Sequence, residues 1–221
     1  MISFLIFSLF TFSLLANPPD TVLYAAQIYQ AERSKLQNYK VRHIVVSKLE
    51  SSSETYIEKR IQTGYFISPD KFFFLIKEKW INHQPVKVKK DEVEKSTKRE
   101  IEWLSKRGIK EYKFSYIGGN EQVAKFKVQS PHIDRDWYNG EIWIHPSQYK
   151  ILKIIREPSL LPVGYEKYTT ELHFDTDLPF QEPYLSKLEA IFINERGEKT
   201  YVLVDASFTE YEFNIPLKTE K

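Results

Sequence analysis

Apolar residues along this chain change their spacing more than once. Between Asp20 and Leu36 they recur at helical intervals, with Val22, Ala26, Tyr29 and Leu36 in TVLYAAQIYQAERSKL. This is the period of an amphipathic helix, and Asp20, after Pro18 and Pro19, is placed to cap it. From Tyr39 the period becomes two, so Val41, His43 and Val45 take one face of a strand and Arg42, Ile44 and Val46 the other. Ser51 to Ser53 turn the chain into a second long strand over 56–67. GYFISPDKFFFLIKEKW (64–80) then breaks the alternation, because Phe72, Phe73, Phe74, Leu75 and Ile76 form one unbroken apolar run. A continuous run implies that both faces of the segment meet apolar material.

Beyond that run the pattern predicts a fourth strand over 80–88 and a second helix over 91–108. Asp91 is its candidate cap, Val93, Ile101 and Leu104 lie on one side, and Gly108 is its C-terminal stop. Strands resume at 111–117 and 123–129 about a turn at Gly118, Gly119 and Asn120. They continue at 141–145, 150–156, 165–174, 184–193 and 199–213, the last with an irregularity near Thr209. The expectation is a mainly β (α+β) fold, an antiparallel meander of about eleven strands with helices only at the start and in the middle. A sheet of that size curls strongly or closes, leaving a concave side for the two helices.

Composition changes the picture in three ways. The first charged residue is Asp20, and the apolar block before it has the length of a secretory h-region, so residues 1–16 read as a signal peptide and 17–221 as a single domain. Ala16 suits the last position before cleavage, whereas Leu14 is larger than the usual pattern prefers. The n-region has no Lys or Arg, which leaves an uncleaved inner-membrane anchor as the alternative. There is no cysteine, so an exported form must rely on burial rather than disulfides. The net charge of +2 comes from interspersed signs, which argues against nucleic acid as a partner.

Several segments carry a resemblance. TGYFISPDKFFF (63–74), with Gly64, Phe66, Pro69, Asp70, Lys71 and Phe72, is similar to a motif of the periplasmic outer-membrane lipoprotein-carrier (LolA/LolB-like) superfamily. YIGGNEQVAKFKV (116–128) and WYNGEIWIHPSQYKILKIIRE (137–157), with Gly140 to His145 and Ile151 to Lys153, extend the resemblance over most of the chain. It implies an unclosed antiparallel half-barrel of about eleven strands, covered by helices, with an apolar cavity for acyl chains. It also implies a periplasmic, non-enzymatic, monomeric protein without a cofactor. The cargo would be an acylated lipoprotein or lipid, exchanged with membrane-associated donor and acceptor proteins on the way to the outer membrane. Two positions depart from the pattern. No Arg lies between Gly64 and Phe74 to latch a lid, and His145 stands where an Asp is common.

The candidate lipid-binding residues are Phe66, Phe72, Phe74, Trp103, Leu104 and Trp143, large apolar side chains on elements that such a fold turns inward. Plain core packing is the competing reading of each. The best metal candidates are His132, Asp134 and Asp136 in SPHIDRDWYNGE, whose alternate spacing could place an imidazole and two carboxylates on one side of an extended segment. There is no G-x-S-x-G, no H-E-x-x-H, no P-loop and no cysteine nucleophile. A second function class remains, an envelope sensor or protein-interaction module on the same half-barrel without lipid transfer.

Overall fold

The helical period at the start of the domain becomes α1 (Asp20–Lys35), which buries Val22, Ala25, Ala26 and Tyr29. Residues 18–89, 92–97 and 101–216 are described by this computed structural model; residues 1–16, read from the sequence as a signal peptide, and the candidate cap Asp91 lie outside the described residues. Asp20 is the first helical residue rather than the cap. Pro19 holds the cap position, and its carbonyl accepts from Val22 N (2.9 Å) and Leu23 N (3.1 Å). Asp20 instead contributes its charge to the positive end of the helix.

Among the described residues twelve strands follow: β1 (Asn38–Glu50), β2 (Thr55–Ile67), β3 (Lys71–Ile81), β4 (Gln84–Val86), β5 (Val93–Thr97), β6 (Lys113–Gly119), β7 (Ala124–Gln129), β8 (Tyr138–Ile144), β9 (Ile151–Pro158), β10 (Tyr165–Phe174), β11 (Pro183–Ile193) and β12 (Lys199–Phe213). They form one sheet in the order β4-β3-β2-β1-β12-β11-β10-β9-β8-β7-β6, with β5 paired to β3. All the pairings are antiparallel, and the β4/β5 and β6 ends do not pair with each other, so the sheet is an unclosed half-barrel. The first and last strands meet in its middle. Asn38 Nδ2 donates to the Ile215 carbonyl (3.1 Å), and Asn38 Oδ1 accepts from Ile215 N (2.8 Å), which secures that seam.

Four sequence expectations are corrected. Trp80 and Ile81 do not begin a strand but end β3, because Asn82 and His83 adopt positive φ (47° and 67°), the requirement of a two-residue hairpin turn. Asn82 Oδ1 and N both bond to the backbone of Ile57, at 2.8 Å, and pin that turn to β2. The helix expected over 91–108 is replaced: Val93–Thr97 is a strand on the outer edge of β3, where it supplies backbone partners to Lys71–Leu75. Among the described residues, what is helical mid-chain is a single 3-10 turn (Glu102–Leu104) and a four-residue α2 (Gly108–Glu111). Gly108 opens α2 instead of ending a helix, since a Cβ there would lie 1.9 Å from the Glu102 carbonyl oxygen. Gly118 and Gly119 belong to the end of β6, with the turn itself at Asn120 to Val123. The irregularity near Thr209 is present as a bulge: Arg42 faces Thr209 and Lys40 faces Glu212, with Glu210 at φ 56° between them.

The Phe run is explained by the two faces of β3. Phe72, Phe74 and Ile76 share the inner face with their partners Phe66, Gly64 and Gln62, while Phe73 on the outer face stacks on Tyr65 with ring centres 5.1 Å apart. Both sides of the strand therefore meet apolar material, one inside the half-barrel and one in a cross-strand aromatic pair.

Candidate functional site

Cross-strand partners share a face, so the inner surface can be followed strand by strand. Val45 faces Ala206, Ala206 faces Ser186, and Ser186 faces Leu172, which faces Ile154 in the main core. One continuous inner face thus runs from β3 to β6. Its β6–β10 part is sealed by α1, whose Ala25 and Ala26 allow close approach, and by Trp103 and Leu104 from the 3-10 turn. Trp103 Nε1 donates to the Tyr138 carbonyl (3.2 Å), so the indole is satisfied as well as buried. The crevice beside it, lined by Ile101, Glu102, Trp103, Tyr138, Ile154, Arg156 and Leu172, holds only about 10 Å³. That is room for one water at most. The side chains of α1 and the 3-10 turn have taken up the oily space expected at this end.

The sheet brings the candidate lipid-binding residues into two groups rather than one. Phe66 and Phe72 pack around Tyr39, with Val41 and Leu36, while Trp103 and Leu104 lie in the core under α1. Phe74 lies in the first neighbourhood and stacks on His43, with ring centres 4.6 Å apart. Trp143 departs from the expected lining. Ile142 and Ile144 are buried on the inner face of β8, so Trp143 points to the opposite face. There its ring lies near Lys125 Nζ (4.1 Å) and Lys153 Nζ (5.0 Å), and its Nε1 donates to Glu141 Oε2 (3.0 Å).

Between these groups, Leu188, Val202 and Val204 on β11 and β12 are only half-buried, beside the buried Val45, Ala190 and Ala206. Sequence reasoning missed this strip because KTYVLVDA is apolar at successive positions and alternation alone leaves its inner face unmarked. The register resolves it: Val202 and Val204 face Leu49 and Ser47 inside, while Tyr201 and Leu203 are exposed outside.

Polar groups inside the shell are few and specific. His43 lies between Phe74 and Phe208, its Nδ1 2.8 Å from Gln62 Nε2. Burial, reinforced by the nearby Arg60 charge, lowers its pKa to about 4, so the ring is neutral at pH 7. Burial also pushes the Tyr39 and Tyr211 phenols far above their ordinary value. Arg33 near the end of α1 pairs with Glu182 at 2.9 Å, and Tyr39 Oη donates to the other Glu182 oxygen at 3.1 Å.

The metal candidates do not converge. The His132 ring packs on Trp137, with centres 4.6 Å apart, and Asp134 Oδ1 accepts from Asp136 N at 3.2 Å. Among the described residues no group of three His, Cys, Asp or Glu is placed to hold a metal ion. No described helix is long and apolar enough to cross a membrane.

No family model matches the chain, and no curated protein matches it. Solved structures are similar in the course of the chain at low identity. An outer membrane lipoprotein-sorting protein domain from Vibrio parahaemolyticus is 12% identical, covering 89% of this chain and 94% of that one, with a TM-score of 0.45. A DUF1329 family protein from Desulfovibrio piger ATCC 29098 is 9% identical over 91% and 95%, with a TM-score of 0.45. The LolA superfamily protein NE2245 from Nitrosomonas europaea is 11% identical over 89% and 93%, with a TM-score of 0.34. At these identities and scores the likeness describes the chain path and says nothing about a ligand.

Proposed function

We propose that the protein is an exported, non-enzymatic binding protein that shelters acyl chains against the inner face of its open sheet during transfer towards the outer membrane. The observation that carries this reading is the unequal cover of one continuous, mainly apolar inner face. Its β6–β10 part is sealed by α1, Trp103 and Leu104, while Leu188, Val202 and Val204 on β11 and β12 stay half-buried. An acyl chain laid along that strip leaves water at about 0.8 kcal/mol per buried methylene, enough to hold a long chain without any covalent step. Because the space under α1 is filled, deeper insertion requires α1 and the 101–111 segment to move off the sheet. Binding and release are then two positions of one cover. The periplasm is the compartment in which such a carrier works, with an acylated lipoprotein or lipid as cargo and membrane-associated proteins as donor and acceptor.

A second reading, a protein-interaction module on the same fold, is favoured by one observation. Ile133 and Val163 are each 81% exposed on two loops fastened together by Ser159, whose N donates to the Trp137 carbonyl and whose Oγ donates to the Asp134 carbonyl. Exposed aliphatic tips suit docking to a partner.

The two faces of β12 provide the test. A fluorescent fatty acid titrated into the protein should bind saturably, Val204→Asp on the inner face should weaken it at least tenfold, and Leu203→Asp on the outer face should leave it unchanged. Absence of saturable binding, or equal effects of the two substitutions, contradicts the carrier reading and leaves the docking reading.

A further inference from the structure

A groove of about 510 Å³ opens between the end of α1, the β2–β3 turn and the residues joining the 3-10 turn to α2; Arg33, Ser34, Ser68, Ser105, Lys106 and Arg107 are among its lining residues. Three of its lining residues, Arg33, Lys106 and Arg107, are basic, and none is an acid. We propose that this groove is a binding site for a phosphate group.

The argument begins with Arg33. Its side chain is more than nine-tenths buried, yet it borders the groove. One arm of its guanidinium, Nη1, is 2.9 Å from Glu182 Oε1, and the plane lies over the Phe66 ring at 4.7 Å. The other arm, Nη2, is buried and has no hydrogen-bond partner among the described residues. A withdrawn guanidinium N–H without an acceptor costs stability, and an oxyanion in the groove would relieve that cost once the Arg33 side chain shifts to present Nη2 to it.

The neighbouring groups complete a phosphate-type donor set. Ser105 Oγ accepts from Gly108 N at 2.9 Å, which leaves its hydroxyl hydrogen to donate. Lys106 is exposed on the lip of the groove. Arg107 is balanced by Glu111 at 2.9 Å and Arg33 by Glu182, so the charge that attracts the anion comes from Lys106. The carbonyls ending α1 contribute a partial negative charge nearby, which Arg33 and Lys35 in that last turn offset. An Arg, a Lys and a hydroxyl lining one opening supply the several donors that a multiply accepting phosphate takes. The site does not depend on the acyl-chain reading; the phosphate could be free or the head of a lipid.

Isothermal titration with inorganic phosphate and, separately, with dihexanoyl phosphatidic acid tests this, together with amide shifts of Ser34, Ser68 and Ser105. Saturable binding with shifts at those three amides, weakened at least tenfold by Lys106→Glu and severalfold by Arg33→Lys, is the expected result. Equal affinities in the two arms assign free phosphate, and tighter binding of the lipid arm, lost in Lys106→Glu, assigns a headgroup. No binding in either arm, or binding that both variants leave unchanged, overturns the proposal. Fatty-acid binding in the Lys106→Glu variant reports on the inner face alone, so the two readings fail separately.

Discussion

Arg33 and Glu182 form an ion pair, 2.9 Å between Nη1 and Oε1, with side chains only 9% and 2% exposed. It joins the last turn of α1 to the residue preceding β11, so the cover of the half-barrel is tied to the sheet by a charge contact rather than by apolar packing alone. Truncating one partner of such a pair leaves an uncompensated buried charge. Glu182→Leu is expected to cost about 3–5 kcal/mol in urea denaturation, whereas the double change Arg33→Met with Glu182→Leu should recover most of the loss.

His43 makes stability depend on pH. Its pKa is lowered to about 4 in the folded protein, against 6.5 in the unfolded chain, so the unfolded state binds the proton more readily between those values. The His43 contribution is fully present above pH 6.5 and is lost progressively as pH falls towards 4. The loss should be of order 3 kcal/mol. Urea midpoints measured across that window should fall for the native protein and flatten for His43→Gln.

Gly108→Ala tests how tightly the mid-chain segment is packed. The added methyl group would meet backbone, 1.9 Å from the Glu102 carbonyl oxygen, and backbone cannot rotate away as a side chain can. A loss of about 1–3 kcal/mol is expected by thermal or urea unfolding.

The two tryptophans of the candidate site should separate. Trp103→Ala removes a buried indole from the core under α1 and should cost about 3–5 kcal/mol. Trp143→Ala removes an outer-face ring held by Lys125 and Lys153 and should cost about 1–2 kcal/mol, with no effect on fatty-acid affinity. Denaturation and fluorescence titration of the two variants check both statements.

Much of the sheet was legible from runs rich in β-branched and aromatic residues between turn signals: 165–174 and 199–213 are strands at those bounds, and the irregularity expected near Thr209 is the bulge facing Arg42. The 93–97 strand was not, because its polar residues fit a helix face as well as an edge strand, and the free edge of β3 that decides the matter is not local information. Trp143 was readable in principle, since in GEIWI the two Ile residues share a face and the Trp must take the other. The basic groove was not readable at all, because Arg33 and Lys106 meet only when α1 and the mid-chain turn are folded against each other.

The most direct measurement of the central claim is mass spectrometry of an organic extract of the purified native protein. Acyl chains recovered in near-stoichiometric amount from the native protein, and lost from Val204→Asp but not from Leu203→Asp, are the predicted result. An extract without lipid, from a protein that also takes up no added fatty acid, would contradict the account.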